Sequence, residues 1–88
     1  MVYRVLSNGE YRDFDDIESA RAYAIKQMDK GHYPTISVGD NGRPFGTISK
    51  TQDGEYRWKG LSGIRYRLDR RGRLISKISD RYGRSGGR

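Results

Sequence analysis

Residues 54–79 read Gly-Glu-Tyr-Arg-Trp-Lys-Gly-Leu-Ser-Gly-Ile-Arg-Tyr-Arg-Leu-Asp-Arg-Arg-Gly-Arg-Leu-Ile-Ser-Lys-Ile-Ser, and two runs within them alternate with a period of two. Tyr56 and Trp58 fall on one side of the first run, against Glu55, Arg57 and Lys59. Ile64, Tyr66 and Leu68 fall on one side of the second, against Arg65, Arg67 and Asp69. Successive side chains of a strand point to opposite faces, so each run is a strand with one face turned to a core. The rings and aliphatic groups then face inward, and arginine and lysine make the outer surface.

The charge of the chain is concentrated in the same half. Residues 1–49 carry six Lys/Arg and seven Asp/Glu, a balance of −1, whereas residues 50–88 carry twelve against four, a balance of +8; the two sum to the net +7. Such asymmetry gives the molecule a directed field and favours a polyanionic or acidic partner. At 88 residues the chain is sized for one domain, and its ten aromatic residues suit a folded body better than a disordered one. It has no cysteine, which excludes disulfides and thiolate metal sites. No apolar run approaches a membrane span or a signal h-region. These features together predict a soluble cytoplasmic protein without a membrane partner.

Outward from the central stretch, Val2–Leu6 and Glu10–Phe14 flank Asn8-Gly9, which predicts a two-residue hairpin because both central positions of a type I′ turn need positive φ. Val2, Tyr3, Val5 and Leu6 are apolar on both sides, as in a strand placed centrally or covered on both faces. Asp15, with Glu18 three residues on, predicts a helix from about residue 16 to residue 30. Ile17, Ala20, Ala24 and Met28 form its apolar stripe, Arg21 lies close enough to extend its head group past the core margin, and Gly31 is the stop signal. Further strands are expected at Pro34–Val38, Phe45–Lys50 and Leu74–Ile78, with a turn at Gly39-Asp40-Asn41-Gly42. The fold class is α+β: a twisted antiparallel sheet of five to six strands on one helix, in the order β-β-α-β-β-β-β. Residues 1–79 form the domain, and residues 80–88 are expected to be a flexible basic Gly/Arg tail.

Catalytic chemistry finds little support. His32, the one histidine, stands just past the helix, where a cation suits the C-terminal dipole. Nothing places a base beside Ser37 or Ser62, and the helix cap accounts for part of the Asp13, Asp15, Asp16 cluster. Asp40-Asn41-Gly42 lacks the ligand spacing of a calcium loop. Gly60-Leu61-Ser62-Gly63 has the GxxG form of loops that grip a nucleic-acid backbone, but strands flank it, and a strand connection accounts for it. No catalytic residue, metal or cofactor is implied.

The basic surface carries the functional expectation. Arg57, Lys59, Arg65 and Arg67 would project from one sheet face, joined by Arg70, Arg71 and Arg73 at the next turn and by Lys77, Arg81 and Arg84 beyond it. Neutralising phosphates supplies most of the affinity of nucleic-acid-binding proteins, and arginine adds bidentate contacts. The expectation is a non-enzymatic module that binds DNA or RNA with its sheet face and tail. Tyr56, Trp58 and Tyr66 are assigned to the core rather than to a stacking platform, since so small a chain needs them inside. The alternative is a protein-interaction module or inhibitor of the phage or mobile-element type, such as an antagonist of a CRISPR complex. Its basic face would dock on an acidic protein surface or a nucleoprotein complex. Residues 2–28, a hairpin followed by a helix carrying Ala20, Ala22 and Ala24, resemble the arm-type DNA-binding domains of phage integrases. That family holds its basic contacts on the strands ahead of the helix, where this chain has only Arg4 and Arg12, so no functional residue is carried over.

Overall fold

A computed structural model describes residues 1–39 and 43–78. Seven strands and one helix follow in the order β1 (Tyr3–Ser7), β2 (Glu10–Phe14), α1 (Ile17–Asp29), β3 (Thr35–Val38), β4 (Arg43–Lys50), β5 (Tyr56–Gly60), β6 (Arg65–Leu68) and β7 (Leu74–Ile78). All pairings are antiparallel, in one sheet of spatial order β2-β1-β3-β4-β5-β6-β7. The class is the expected α+β, but the strand count and order are corrected. All five segments expected beyond the helix form strands, so five follow it where the expected order has four, and the sheet has seven strands rather than five to six. The strand at the far edge, β7, has no buried residue and is held by its backbone ladder to β6, so it forms without needing the helix to cover it.

The first hairpin turns at Asn8 (φ 56°) and Gly9 (φ 79°), the two left-handed positions that Asn-Gly supplies. β1 then pairs with β2 on one side and β3 on the other, which explains part of its apolar character. Only one of its faces is covered, however: Val5 is fully buried under the helix, while Leu6 on the opposite face is 48% exposed.

The helix starts one residue later than its sequence signals indicate. Asp16, not Asp15, is the N-cap, its carboxylate accepting from the Ser19 backbone N–H and hydroxyl, both at 2.9 Å. Ala20, Ala24 and Ile25 meet Val5, Ile36, Tyr56, Trp58 and Leu68 in the core, so the aromatic residues of β5 are inside as expected. A chain of rings, Tyr3 to Phe45 at 5.2 Å and Phe45 to Trp58 at 5.8 Å, ties the two halves of the sheet together. Gly46 lies beneath the Trp58 ring, where any Cβ would collide with it.

Arg21 departs from expectation. It is only 5% exposed, so it does not extend past the core margin. Its Nε donates to the Gly72 carbonyl at 2.8 Å, and its guanidinium lies 5.0 Å over the Trp58 ring. Burial pulls its pKa below the ordinary arginine value, with Glu18 acting in the opposite sense. A carbonyl and an aromatic face are the partners that let this charge sit between helix and sheet.

The acceptor for Arg21 comes from the β6–β7 turn, which folds over the helix. Gly72 (φ 81°) makes that approach: a Cβ there would lie 2.7 Å from the Ala22 backbone nitrogen. The turn carries Arg70 to the end of the helix, where its guanidinium meets Asp29 at 2.7 Å. The Tyr56 hydroxyl donates to the same carboxylate, and the two partners hold the Asp29 pKa below its ordinary value.

Candidate functional site

The helix covers one face of the sheet and leaves the other open. On the open face, register sets the basic residues in two cross-strand pairs: Lys59 opposite Arg65, and Arg57 opposite Arg67. Thr47 and Ser49 stand beside them on β4. The expected sidedness of these four residues is therefore present. It follows from strand alternation, with Tyr56, Trp58 and Leu68 fixing which side is buried.

The two pairs differ electrostatically. Glu55 reaches both arginines of one pair, meeting Arg67 at 2.9 Å and Arg57 at 3.3 Å. Like charges directly across an antiparallel pair repel, and one carboxylate between two guanidinium groups relieves this. The Arg57 Nε is buried without a hydrogen-bond partner among the described residues. Lys59 and Arg65 have no carboxylate within ion-pair distance among the described residues, and both are exposed. Four cations and one carboxylate leave this part of the face at +3.

The remaining predicted residues do not join this wall. Arg70 is on the helix side, bound to Asp29 and lying 5.5 Å from the Tyr56 ring. Arg73 pairs with Asp69 at 3.6 Å within the turn. Arg71 is exposed in the same turn, where its backbone N–H donates to the Asp69 carboxylate at 2.9 Å. Lys77 pairs in register with Tyr66, placing it on the face of the rings and not with the arginines. The cause is a bulge: Leu68 faces Leu74 while Arg67 faces Ser76, so Ile75 is the extra residue and the parity of β7 shifts by one. The expected single wall of cations is thus corrected to four residues of β5 and β6. Arg81 and Arg84 lie outside the described residues, as do the Asp40-Asn41-Gly42 turn and the 80–88 tail.

Other sequence candidates resolve into structural roles. Asp13 holds Arg4 at 2.8 and 3.0 Å, and Asp16 caps the helix. No group of His, Asp and Glu among the described residues is arranged to hold a metal ion. The GxxG segment is the β5–β6 connection, with Gly63 N–H donating to the Gly60 carbonyl at 3.0 Å. Among the described residues, no helix is long and apolar enough to cross a membrane.

The open face has a second part that the charge pattern does not reveal. Leu6 and Tyr11 face one another across β1 and β2, and Tyr11 is 62% exposed. With Thr35, Pro44 and Thr47 they line a groove of about 360 Å³. The signal available in the sequence was parity: in Glu10–Phe14, Tyr11 alternates with Arg12 and lies opposite in phase to Phe14. No family model matches the chain, and no curated protein or solved structure matches it.

Proposed function

We propose that this protein is a small, non-enzymatic nucleic-acid-binding module that contacts phosphates with the open face of its sheet. The observation that supports the reading most is the Lys59–Arg65 pair, two adjacent cations on an uncovered sheet face with no carboxylate of the described residues to neutralise them. Arg57 and Arg67 extend it, because a single shared carboxylate offsets only half of their charge. Surface ion pairs of this kind are worth about 0–1 kcal/mol, so a polyphosphate can displace Glu55 at small cost.

The reading is tested by titrating salt while measuring binding to duplex DNA, single-stranded DNA and RNA. Each phosphate neutralised contributes about 0.7 to 0.9 to the slope of log affinity against log salt. Replacing Lys59 and Arg65 together with alanine is expected to reduce that slope by about 1.5 with the fold intact. Absence of binding at low salt, or binding indifferent to salt, defeats the proposal. A single protein partner retained through nuclease and high salt would replace it.

A further inference from the structure

Resting on that reading, we infer that the ligand is single-stranded nucleic acid, with unstacked bases seated in the Leu6–Tyr11–Pro44 groove and phosphates carried by Lys59 and Arg65. The groove and the cations share one face. In register, Tyr11 on β2 is followed by Leu6 on β1 and Thr35 on β3; on β4, the next strand, Thr47 is followed by Lys59 on β5 and Arg65 on β6. At about 4.8 Å per strand, Tyr11 and Lys59 are about 19 Å apart. That span suits the shorter single-strand sites, which take about four nucleotides.

The two ends differ in chemistry as the two parts of a nucleotide strand do. Around the groove are Leu6, Tyr11 and Pro44, with the hydroxyl-bearing residues Thr35, Ser37 and Thr47 between them and Arg4, whose charge Asp13 offsets, at its side. A second depression of about 260 Å³, lined by Pro44, Thr47, Lys59 and Leu61 among others, continues from it toward the cations. Tyr11 is also held in place. The Arg4 guanidinium lies 4.0 Å from its ring centroid, and Asp13 grips Arg4 through two hydrogen bonds. A ring fixed on one side by a clamped cation, and exposed overall, is a stacking platform that loses little freedom on binding. A duplex keeps its bases stacked on one another and offers nothing to this groove, whereas a single strand offers both faces of each base. An acidic protein segment would satisfy the cations but gives no reason for an exposed clamped ring beside a hydroxyl-lined floor.

The test uses the full chain with labelled oligothymidylate and the matching oligo(dA)·oligo(dT) duplex, comparing the parent with Tyr11→Ala and Tyr11→Phe. Tyr11 projects from an edge strand away from the core, so neither substitution reaches the packing beneath the helix. Stacking on one aromatic residue is worth enough that Tyr11→Ala should weaken oligothymidylate binding at least about fivefold, with the salt slope unchanged. Tyr11→Phe should retain the affinity, and the duplex should bind more weakly than the single strand and be indifferent to either change. Equal affinity for duplex and single strand, or a Tyr11→Ala variant that binds oligothymidylate like the parent, overturns the inference while leaving phosphate binding by the cations intact. A dimer at the binding concentrations that Tyr11→Ala dissolves assigns the groove to a second copy of the chain and also overturns it. Failure to bind either oligonucleotide at low salt removes the underlying reading as well.

Discussion

Glu55→Gln separates the electrostatic argument from the structural one, because it should move affinity and stability in opposite directions. The Glu55 carboxylate lies between Arg57 and Arg67, which are directly opposed across β5 and β6. Two unit charges about 5 Å apart interact by about 0.8 kcal/mol in water and by about 3 kcal/mol at an effective dielectric of 20. Both guanidinium groups are substantially solvated, so the smaller figure governs. Removing the carboxylate's charge should cost about 0.5 to 1 kcal/mol, a fall of about 2 to 8 °C in melting temperature for a domain of this size. The same change raises the local charge of the face from +3 to +4. One further neutralised phosphate steepens the salt slope by about 0.7 for a single strand, or about fivefold in affinity at 0.1 M salt. Urea denaturation and fluorescence anisotropy on the same preparations give both quantities. A variant that is less stable and binds no more tightly would refute the idea that these arginines meet phosphate.

Other expected outcomes follow from the fold. Gly72→Ala should destabilise by about 2 to 4 kcal/mol in urea, since φ of 81° and a backbone nitrogen 2.7 Å from the added Cβ both oppose it. Asp16→Ala should lose about 1 kcal/mol while Asp15→Ala changes little, because the cap belongs to Asp16 alone; equal effects would contradict the assigned helix start. Asp13, Asp16, Asp29, Asp53 and Asp69 all have pKa values below the ordinary 3.8, held there chiefly by hydrogen bonds from Arg4, Ser19, Tyr56, Thr51 and the Arg73 backbone respectively. A carboxylate whose folded value is depressed stabilises fully above its unfolded value, and the contribution is lost as pH falls through the folded one. The urea midpoint should therefore begin to fall as pH drops below about 4; a midpoint unchanged at about pH 2 would contradict these assignments.

Much of this molecule is legible in local pattern. The Asn8-Gly9 turn, the alternation at Tyr56–Trp58 and Ile64–Leu68 and the apolar stripe from Ala20 to Ala24 each follow from short-range stereochemistry, in which side-chain parity is set by the backbone. Those patterns suffice to put Arg57, Lys59, Arg65 and Arg67 on one face. Parity stops predicting where one residue is inserted or where a turn leans on another element. The bulge at Ile75 turns Lys77 to the opposite face, and the close seat of Gly72 against the helix commits Arg70 to Asp29 and gives buried Arg21 its acceptor. The groove at Tyr11 forms only when β1 of the first hairpin pairs with β3 beyond the helix, so no local run contains it. The identity of each face is local information, because it is a property of a single strand. What shares that face, and which charges remain unneutralised on it, depends on packing between elements, which only the assembled sheet and helix decide.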